Sequence, residues 1–164
     1  MKVKEIMSAN AKACTLTDNL ADAAGSMWNT DCGILPVVAE GGKVVGLITD
    51  RDICMAATIK GRHLENIAIE EVTSGQVFSC KPDDDVHVAL KTMQQNKVRR
   101  LPVVADDGTL AGILSLNDIV VNAKEVADKK DANVSYADVV QTYKAICAHA
   151  ATHQQARQPR AAGV

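Results

Sequence analysis

Two short segments of the sequence place a hydroxyl side chain and a carboxylate at the same spacing. Residues 46–52 read Gly-Leu-Ile-Thr-Asp-Arg-Asp, and residues 112–118 read Gly-Ile-Leu-Ser-Leu-Asn-Asp. In both, a buried strand is expected to end at the apolar pair, and the hydroxyl residue that follows is a good N-cap for a helix. The aspartate three residues later completes a capping box. Each junction therefore brings a hydroxyl, a carboxylate and backbone N–H groups together.

The two segments belong to a longer internal repeat. A shift of 66 residues aligns the chain with itself without a gap over about 50 residues, and it places Pro36 on Pro102. The pentapeptide Leu-Pro-Val-Val-Ala recurs letter for letter at residues 35–39 and 101–105. A gapless match of this length indicates a duplicated structural unit.

Each copy is predicted to be a β-α-β-β-α unit. Apolar residues at i, i+3, i+4 and i+7 from Leu20 predict the first helix, and two apolar strands around a glycine turn follow it. The predicted elements are lead-in turns at 5–7 and 71–73, extended segments at 13–16 and 78–81, first helices capped by Asp18 and Asp84, copy-one strands at 34–39 and 43–48, and second helices at 50–59 and 116–126.

A single copy of about 60 residues is marginal for a stable core, so the copies are expected to share their sheet faces. The predicted fold class is α+β with α/β-type repeats: two tandem motifs in pseudo-two-fold symmetry, followed by a C-terminal helix. Both capping-box junctions should open onto the cleft between the copies. The predicted domains are a first motif at 1–60, a second at 67–126, the C-terminal helix at 134–156 and a frayed tail at 157–164.

Two prolines lie inside predicted strands. Proline has no N–H to donate to a strand ladder, so Pro36 and Pro102 are expected at a sheet edge or a strand start. The backbone beside each proline would then be free to bind something else, or it would be an ordinary sheet edge.

Composition and charge exclude several classes of function. The formal net charge is −2, which argues against binding to nucleic acid. No apolar run approaches the roughly 20 residues of a membrane-spanning helix, and the first ten residues lack the apolar stretch of a signal peptide. The five cysteines form no Cys-x-x-Cys pair, which favours buried thiols in a reducing cytoplasm.

A few isolated side chains allow two interpretations. His149 and His153 share a helix face at a spacing that can hold zinc, but exposed polar positions explain them more simply. Cys14 and Cys80 are interpreted as small buried residues rather than redox sensors, and Trp28 as a partly buried helix residue. No metal site and no catalytic site are predicted.

The duplicated Leu-Pro-Val-Val strands and the Gly-x-x-Thr/Ser-x-x-Asp segments resemble tandem cystathionine β-synthase (CBS) domains, which pair as a Bateman module. The resemblance covers residues 3–126. It implies a non-enzymatic regulatory module that binds an adenine nucleotide or relative (AMP, ADP, ATP, NAD or S-adenosylmethionine) in the cleft. It also implies a homodimer, with an unknown downstream protein as partner.

The resemblance also implies which residues contact the ligand. Asp52 and Asp118 would hold the ribose hydroxyls, because a carboxylate accepts two hydrogen bonds at once. Thr49 and Ser115 would lie beside the sugar or phosphate. The remaining implied contacts are Gly33, Ile34, Pro36, Arg100 and Pro102 at the adenine edge, Thr15 and Lys81 beside the base, Arg51, Arg99 and Arg100 at the phosphates, and Asn117 where copy one has Arg51.

Simpler interpretations remain open for these residues. Asp52 and Asp118 would also be explained by plain capping boxes, and Arg99 with Arg100 by solvated surface charge or a salt bridge in a dimer. The alternative function is a structural dimer or scaffold with an unoccupied cleft, in which the C-terminal helix carries the interaction. An enzyme is disfavoured, because the sequence has no Ser-His-Asp arrangement, P-loop or metal cluster.

Overall fold

The computed structural model describes residues 1–73, 76–125 and 133–148. Within these residues the chain forms two three-stranded sheets and five α-helices. The elements follow in the order β1 (Ser8–Ala9), β2 (Cys14–Thr15), α1 (Leu20–Asn29), β3 (Ile34–Val38), β4 (Val44–Thr49), α2 (Asp50–Lys60), α3 (Val86–Asn96), β5 (Arg100–Val104), β6 (Leu110–Ser115), α4 (Leu116–Asn122) and α5 (Tyr136–Cys147).

The two copies fold alike, which confirms the predicted mixed fold of tandem motifs followed by a helix. β5 and β6 begin and end 66 residues after β3 and β4. The antiparallel register is also the same, since Pro36 lies opposite Leu47 and Pro102 lies opposite Ile113. Equivalent residues of the two strand pairs therefore face each other in the same register, although β3 is central in its sheet and β5 is an edge strand.

The lead-in of each copy packs against the other copy. The first lead-in forms a 3-10 turn, Val3–Glu5, whose first residue donates a backbone hydrogen bond to the Asp84 carbonyl (3.0 Å). The next segment, β1, then pairs antiparallel with β6 of copy two. The second lead-in, Ile69–Glu71, donates in the same way to the Asp18 carbonyl of copy one (2.8 Å). The two motifs are thus interlocked by exchange of their first segments.

Each copy encloses one aliphatic core that the exchanged segment completes. Copy two buries Leu101, Val103 and Leu114 from its strands, together with Val3 from the N-terminus. Copy one buries the equivalent strand residues together with Ile69 from the second lead-in. Removal of either lead-in would therefore open the core of the opposite copy.

The caps predicted for α1 and α3 are wrong by one residue. Asn19 caps α1 by accepting from the N–H three residues later (2.9 Å), and Asp85 caps α3 by accepting from the N–H two residues later (2.9 Å). Asp18 and Asp84 instead each accept from the N–H three residues earlier, at 2.7 Å. They close the turn before the helix, a role that short acidic side chains also favour.

The helix after the second junction is shorter than the predicted 116–126. α4 ends at Asn122, because Ala123 is extended (φ −70°, ψ 147°) and its side chain is buried. Lys124 then donates from its backbone to the Val134 carbonyl (2.9 Å). The chain thus leaves the helix early to pair with the segment that leads into α5.

The C-terminal helix packs on copy two alone. α5 begins after a capping box at Ser135 and contacts α3 and α4. Thr142 on its inner face is fully buried and accepts a hydrogen bond from the Gln94 amide of α3 (2.7 Å). Val140, on the outer side of the same helix, is 58% exposed. The predicted continuation to residue 156, with His149 and His153, and the tail at 157–164 lie outside the described residues.

Candidate ligand-binding site

The capping box at the start of α2 is formed by both of its predicted members. Asp52 Oδ2 accepts from the Thr49 N–H (3.0 Å) and from the Thr49 hydroxyl (2.7 Å). The Asp52 N–H donates in return to Thr49 Oγ1 (3.2 Å). These reciprocal bonds fix the carboxylate at the point where β4 becomes α2.

The equivalent box at the start of α4 has nearly the same geometry. Asp118 Oδ2 accepts from the N–H and the hydroxyl of Ser115, both at 2.7 Å. The Asp118 N–H donates to Ser115 Oγ (3.1 Å). The predicted duplication of the junction is therefore present at the level of single hydrogen bonds.

Both carboxylates keep one oxygen free for another partner. Only Oδ2 of Asp52 and of Asp118 takes part in a hydrogen bond within the described part of the chain. No side-chain oxygen or nitrogen there is both buried and without a partner, so each Oδ1 is accessible. Capping and ligand binding are therefore compatible in the same side chain.

The second junction lines a cavity of about 490 Å³ that both copies build. Copy two contributes Ser115, Asn117 and Asp118, and copy one contributes Ile34 and Pro36 of β3. We call this space the Asp118 cavity. Its lining consists of Ser8, Ala9, Asn10, Ala11, Lys12, Thr30, Asp31, Cys32, Ile34, Leu35, Pro36, Arg100, Ile113, Ser115, Asn117 and Asp118.

The first junction lines an equivalent cavity of about 390 Å³. Copy one contributes Thr49 and Asp52, and copy two contributes Arg99 and Arg100 at the start of β5. We call this space the Asp52 cavity. Its lining consists of Ile34, Leu47, Thr49, Asp52, Gln76, Phe78, Val98, Arg99 and Arg100.

The expected cleft is thus divided into two cavities. In each one the hydroxyl and carboxylate of one copy lie with the strand before the proline of the other copy. Ile34 and Arg100, which are equivalent positions in the repeat, line both cavities. The two spaces are therefore neighbours that share part of one wall.

The two strands tolerate an internal proline because no neighbouring strand needs the missing N–H donor. Pro36 lies in β3, the central strand of its sheet, rather than at the predicted edge or strand start, whereas Pro102 lies in the edge strand β5, as predicted. The parallel partner β2 pairs with β3 only at Val37 and Val38, so the missing N–H costs no ladder hydrogen bond. Ile34 and Leu35, just before the proline, have no strand on that side among the described residues, and both line the Asp118 cavity.

Five of the predicted ligand residues are absent from the two linings. Arg51 and Thr15 are exposed, and Pro102 is buried within β5. Lys81 is engaged elsewhere, in an exposed ion pair with a carboxylate of the β5–β6 turn (2.6 Å). Gly33 lies beside the Asp50 carboxylate at the start of α2. Contacts between these five residues and a ligand stay predictions.

Four of the residues that line the cavities were not predicted as ligand contacts from the sequence. Lys12 and Asn10 precede β2 and line the Asp118 cavity, whereas Phe78 and Gln76 line the Asp52 cavity. These residues lie in irregular segments without a periodic pattern. The repeat offset would have paired them, because Lys12 and Phe78, like Asn10 and Gln76, are 66 residues apart.

The arginines at these sites carry no internal counter-ion. Within the described ranges, Arg51, Arg99 and Arg100 have no carboxylate within ion-pairing distance. Arg99 and Arg100 also line a smaller space of about 150 Å³ together with Asn117 and Tyr143 of α5. Unpaired guanidinium groups beside a cavity are suited to bind a phosphate or carboxylate through two parallel hydrogen bonds.

Metal binding finds no support in the part of the chain that the structure describes. These residues include no group of three or more histidine, cysteine or acidic side chains that could hold an ion. They also include no helix long and apolar enough to cross a membrane.

The sequence profile of the CBS domain matches this chain twice, at residues 3–58 and 69–125. The chain belongs to the CBS domain family. CBS domain-containing protein YhcV of Bacillus subtilis (strain 168) is 33% identical over 139 residues, which cover 84% of this chain and 97% of that protein. The two copies of the repeat are therefore two CBS motifs.

Solved structures of CBS pairs have the same fold. The CBS domain pair of protein MJ0100, in complex with 5′-methylthioadenosine and S-adenosyl-L-methionine, is 31% identical with a TM-score of 0.66. The match covers 74% of this chain and 94% of that one. CBSX2 in complex with AMP is 22% identical with a TM-score of 0.63, over 73% of this chain and 93% of that one, and it supports the fold alone.

Proposed function

We propose that this CBS pair is a non-enzymatic regulatory module that binds an adenosine-containing ligand in the two cavities between its motifs. AMP, ADP, ATP, NAD and S-adenosylmethionine are the candidate ligands. The observation that carries the proposal is the duplicated junction, because the free Oδ1 of Asp52 and of Asp118 is accessible beside a cavity that the opposite motif completes.

The junctions suit a ribose ring. A carboxylate accepts hydrogen bonds only, and neighbouring ribose hydroxyls can both donate to it. Because Oδ2 of Asp118 is already held by Ser115, the carboxylate does not need to be ordered when a sugar binds. This preorganisation lowers the entropic penalty of binding.

The rest of each cavity suits a base and its substituents. Ile34 and Leu35 offer apolar surface and a strand edge in the Asp118 cavity, and Phe78 with Val98 offers an apolar wall in the Asp52 cavity. Concave, mostly apolar walls with a few fixed polar groups are typical of small-molecule sites. The adenosyl ligands of the MJ0100 pair, a 31% identical relative, support the same ligand class for this chain.

Calorimetry and thermal unfolding test the proposal. Nucleotide-free protein is titrated with AMP, ATP, NAD and S-adenosylmethionine, and mass spectrometry first identifies any small molecule that co-purifies. A ligand at 100 times its Kd adds about 2.7 kcal/mol to the free energy of unfolding. The expected rise in Tm is then roughly 5–11 °C. No heat and no shift with any of these adenosyl compounds would remove the proposal.

A homodimer is the second part of the proposal, and an exposed aromatic surface supports it. Trp28, interpreted from sequence as partly buried, is 87% exposed on α1. The residue equivalent to Trp28 in the second motif is Gln94, which α5 covers. The first motif has no such cover among the described residues, and a second copy of the chain would bury this apolar surface.

Light scattering of the Trp28→Glu variant tests the dimer. A charge in an apolar interface is costly unless it is paired, so the variant is expected to be monomeric at concentrations where the wild type is dimeric. Tyr136→Glu, at an exposed aromatic position of α5, is the matched control and should stay dimeric. A monomeric wild-type protein would rule out the dimer and, with it, the alternative of a structural dimer or scaffold with an unoccupied cleft.

A further inference from the structure

The Asp118 cavity is lined by balanced charges. Its two carboxylates are those of Asp31 and Asp118, and its two cationic side chains are those of Lys12 and Arg100. Asp31 lies at the end of α1 in a left-handed backbone conformation (φ 49°). A ligand that carries phosphates would place its negative charge in a space that already contains two carboxylates.

The Asp52 cavity is lined by an excess of positive charge. Its lining contains one carboxylate, Asp52, against the two guanidinium groups of Arg99 and Arg100. Where the Asp118 cavity has Lys12, this cavity has the aromatic ring of Phe78. The cavity therefore combines a sugar-binding carboxylate, an apolar wall and two cations.

The arginine at position 99 has no counterpart in the other copy. The equivalent residue is Gly33, and a Cβ added there would lie 2.8 Å from Oδ2 of Asp50. This close approach excludes any side chain at position 33 unless Asp50 moves. The difference in charge between the two cavities therefore comes from Arg99, whose equivalent Gly33 carries no side chain.

The two arginines are available to an anion from outside the described residues. Neither Arg99 nor Arg100 has a carboxylate within 4 Å among the residues that the structure describes. Hydrogen bonds between guanidinium groups and phosphate are charge-assisted and stronger than neutral ones. A phosphate in the Asp52 cavity would supply the counter-ion that the fold leaves out.

We propose that the two cavities take different adenosyl ligands: the Asp52 cavity binds a phosphate-bearing adenosine, and the Asp118 cavity binds an adenosyl compound without phosphate. This assignment rests on the proposed function, and it adds the ligand class of each cavity. Arg99 is the residue that sets the preference for phosphate.

AMP and adenosine are the matched probes, because they differ only by the phosphate. Both are titrated calorimetrically into full-length, nucleotide-free protein. Arg99→Gln is expected to weaken AMP binding at least tenfold and to leave adenosine binding unchanged. Asp118→Asn is expected to weaken adenosine binding by a similar factor and to leave AMP binding within about twofold. AMP affinity should also fall with added salt, and adenosine affinity should not.

Lys91→Gln is the matched control, because Lys91 is exposed on α3 and its loss changes the net charge equally. If this variant weakens AMP binding as much as Arg99→Gln does, the effect comes from net charge and the assignment is overturned. If AMP binds Arg99→Gln as tightly as wild type, the assignment is overturned while adenosyl binding stands. If neither probe binds the wild type, the assignment is overturned, and the titrations with ATP, NAD and S-adenosylmethionine then decide whether the proposed function fails as well.

Discussion

Replacing Asp118 by alanine separates a capping role from a ligand role, because the chain carries a third capping box outside both cavities. Asp118 Oδ2 accepts from the N–H and hydroxyl of Ser115 at 2.7 Å each. Asp138 Oδ2 accepts from the same groups of Ser135 at 2.9 and 2.6 Å. Loss of a cap typically costs about 1 kcal/mol, so both alanine variants should lose about 2–4 °C in Tm.

Ligand binding should distinguish the two variants. A hydrogen bond to a charged group contributes about 1.5–3 kcal/mol, so loss of the Asp118 carboxylate should weaken adenosine binding about 10- to 150-fold. Asp138 lies in the lining of neither cavity, and Asp138→Ala should therefore bind adenosine as the wild type does. Calorimetric titration of both variants, below their unfolding temperatures, measures the difference.

Two results would refute this reasoning. If Asp118→Ala loses stability but keeps its full affinity, Asp118 is only a helix cap and the ribose assignment is wrong. If both alanine variants lose affinity equally, the loss comes from the weakened fold. A thermal scan of each variant without ligand separates these cases, because it measures the capping effect alone.

Two further predictions concern titratable groups. Burial raises the pKa of the Cys14 thiol to about 11 and that of the Cys80 thiol to about 12. At pH 8 both thiols should therefore react with a thiol reagent far more slowly than the exposed Cys54. Equal reaction rates in the native protein would contradict this, and unfolded protein, in which all the thiols are accessible, is the control. A hydrogen bond from Lys60 lowers the pKa of Glu71 from its ordinary value of 4.5, so its stabilising effect is present above that pH and is lost as pH falls below it. When the pH is lowered from 5 to about 3, the free energy of unfolding should therefore fall less for Glu71→Gln than for the wild type, as measured by urea unfolding.

The repeat made strands β3 and β4, and with them their equivalents β5 and β6, predictable to within one residue. Each strand was constrained twice, once in each copy, and a strand shifted by one residue would expose its apolar face. The exchange of lead-ins was not predictable in this way. Val3 and Ile69 belong to short segments without periodicity, and only the folded chain shows which core they enter.

The candidate site was predictable in its polar centre but not in its walls. Thr49, Asp52, Ser115 and Asp118 carry a spacing with a local physical meaning, and the structure forms both boxes. The walls come from the opposite motif, so their residues become neighbours only when the two motifs pack together. The resemblance implied contacts from both motifs, but it did not indicate which wall residues lie opposite which carboxylate.

The unequal cavities and the added C-terminal helix are linked through one position of the repeat. In the second motif this position is Leu116, which is 1% exposed and lies beside Tyr143 of α5. In the first motif the same position is Asp50, which remains exposed and whose carboxylate also accepts the N–H of the next residue (2.7 Å). An apolar residue is needed where α5 covers the helix start, whereas an exposed start tolerates a carboxylate. That carboxylate then lies in the space of a side chain at Gly33, so a counterpart of Arg99 in the first motif would require the Asp50 side chain to move.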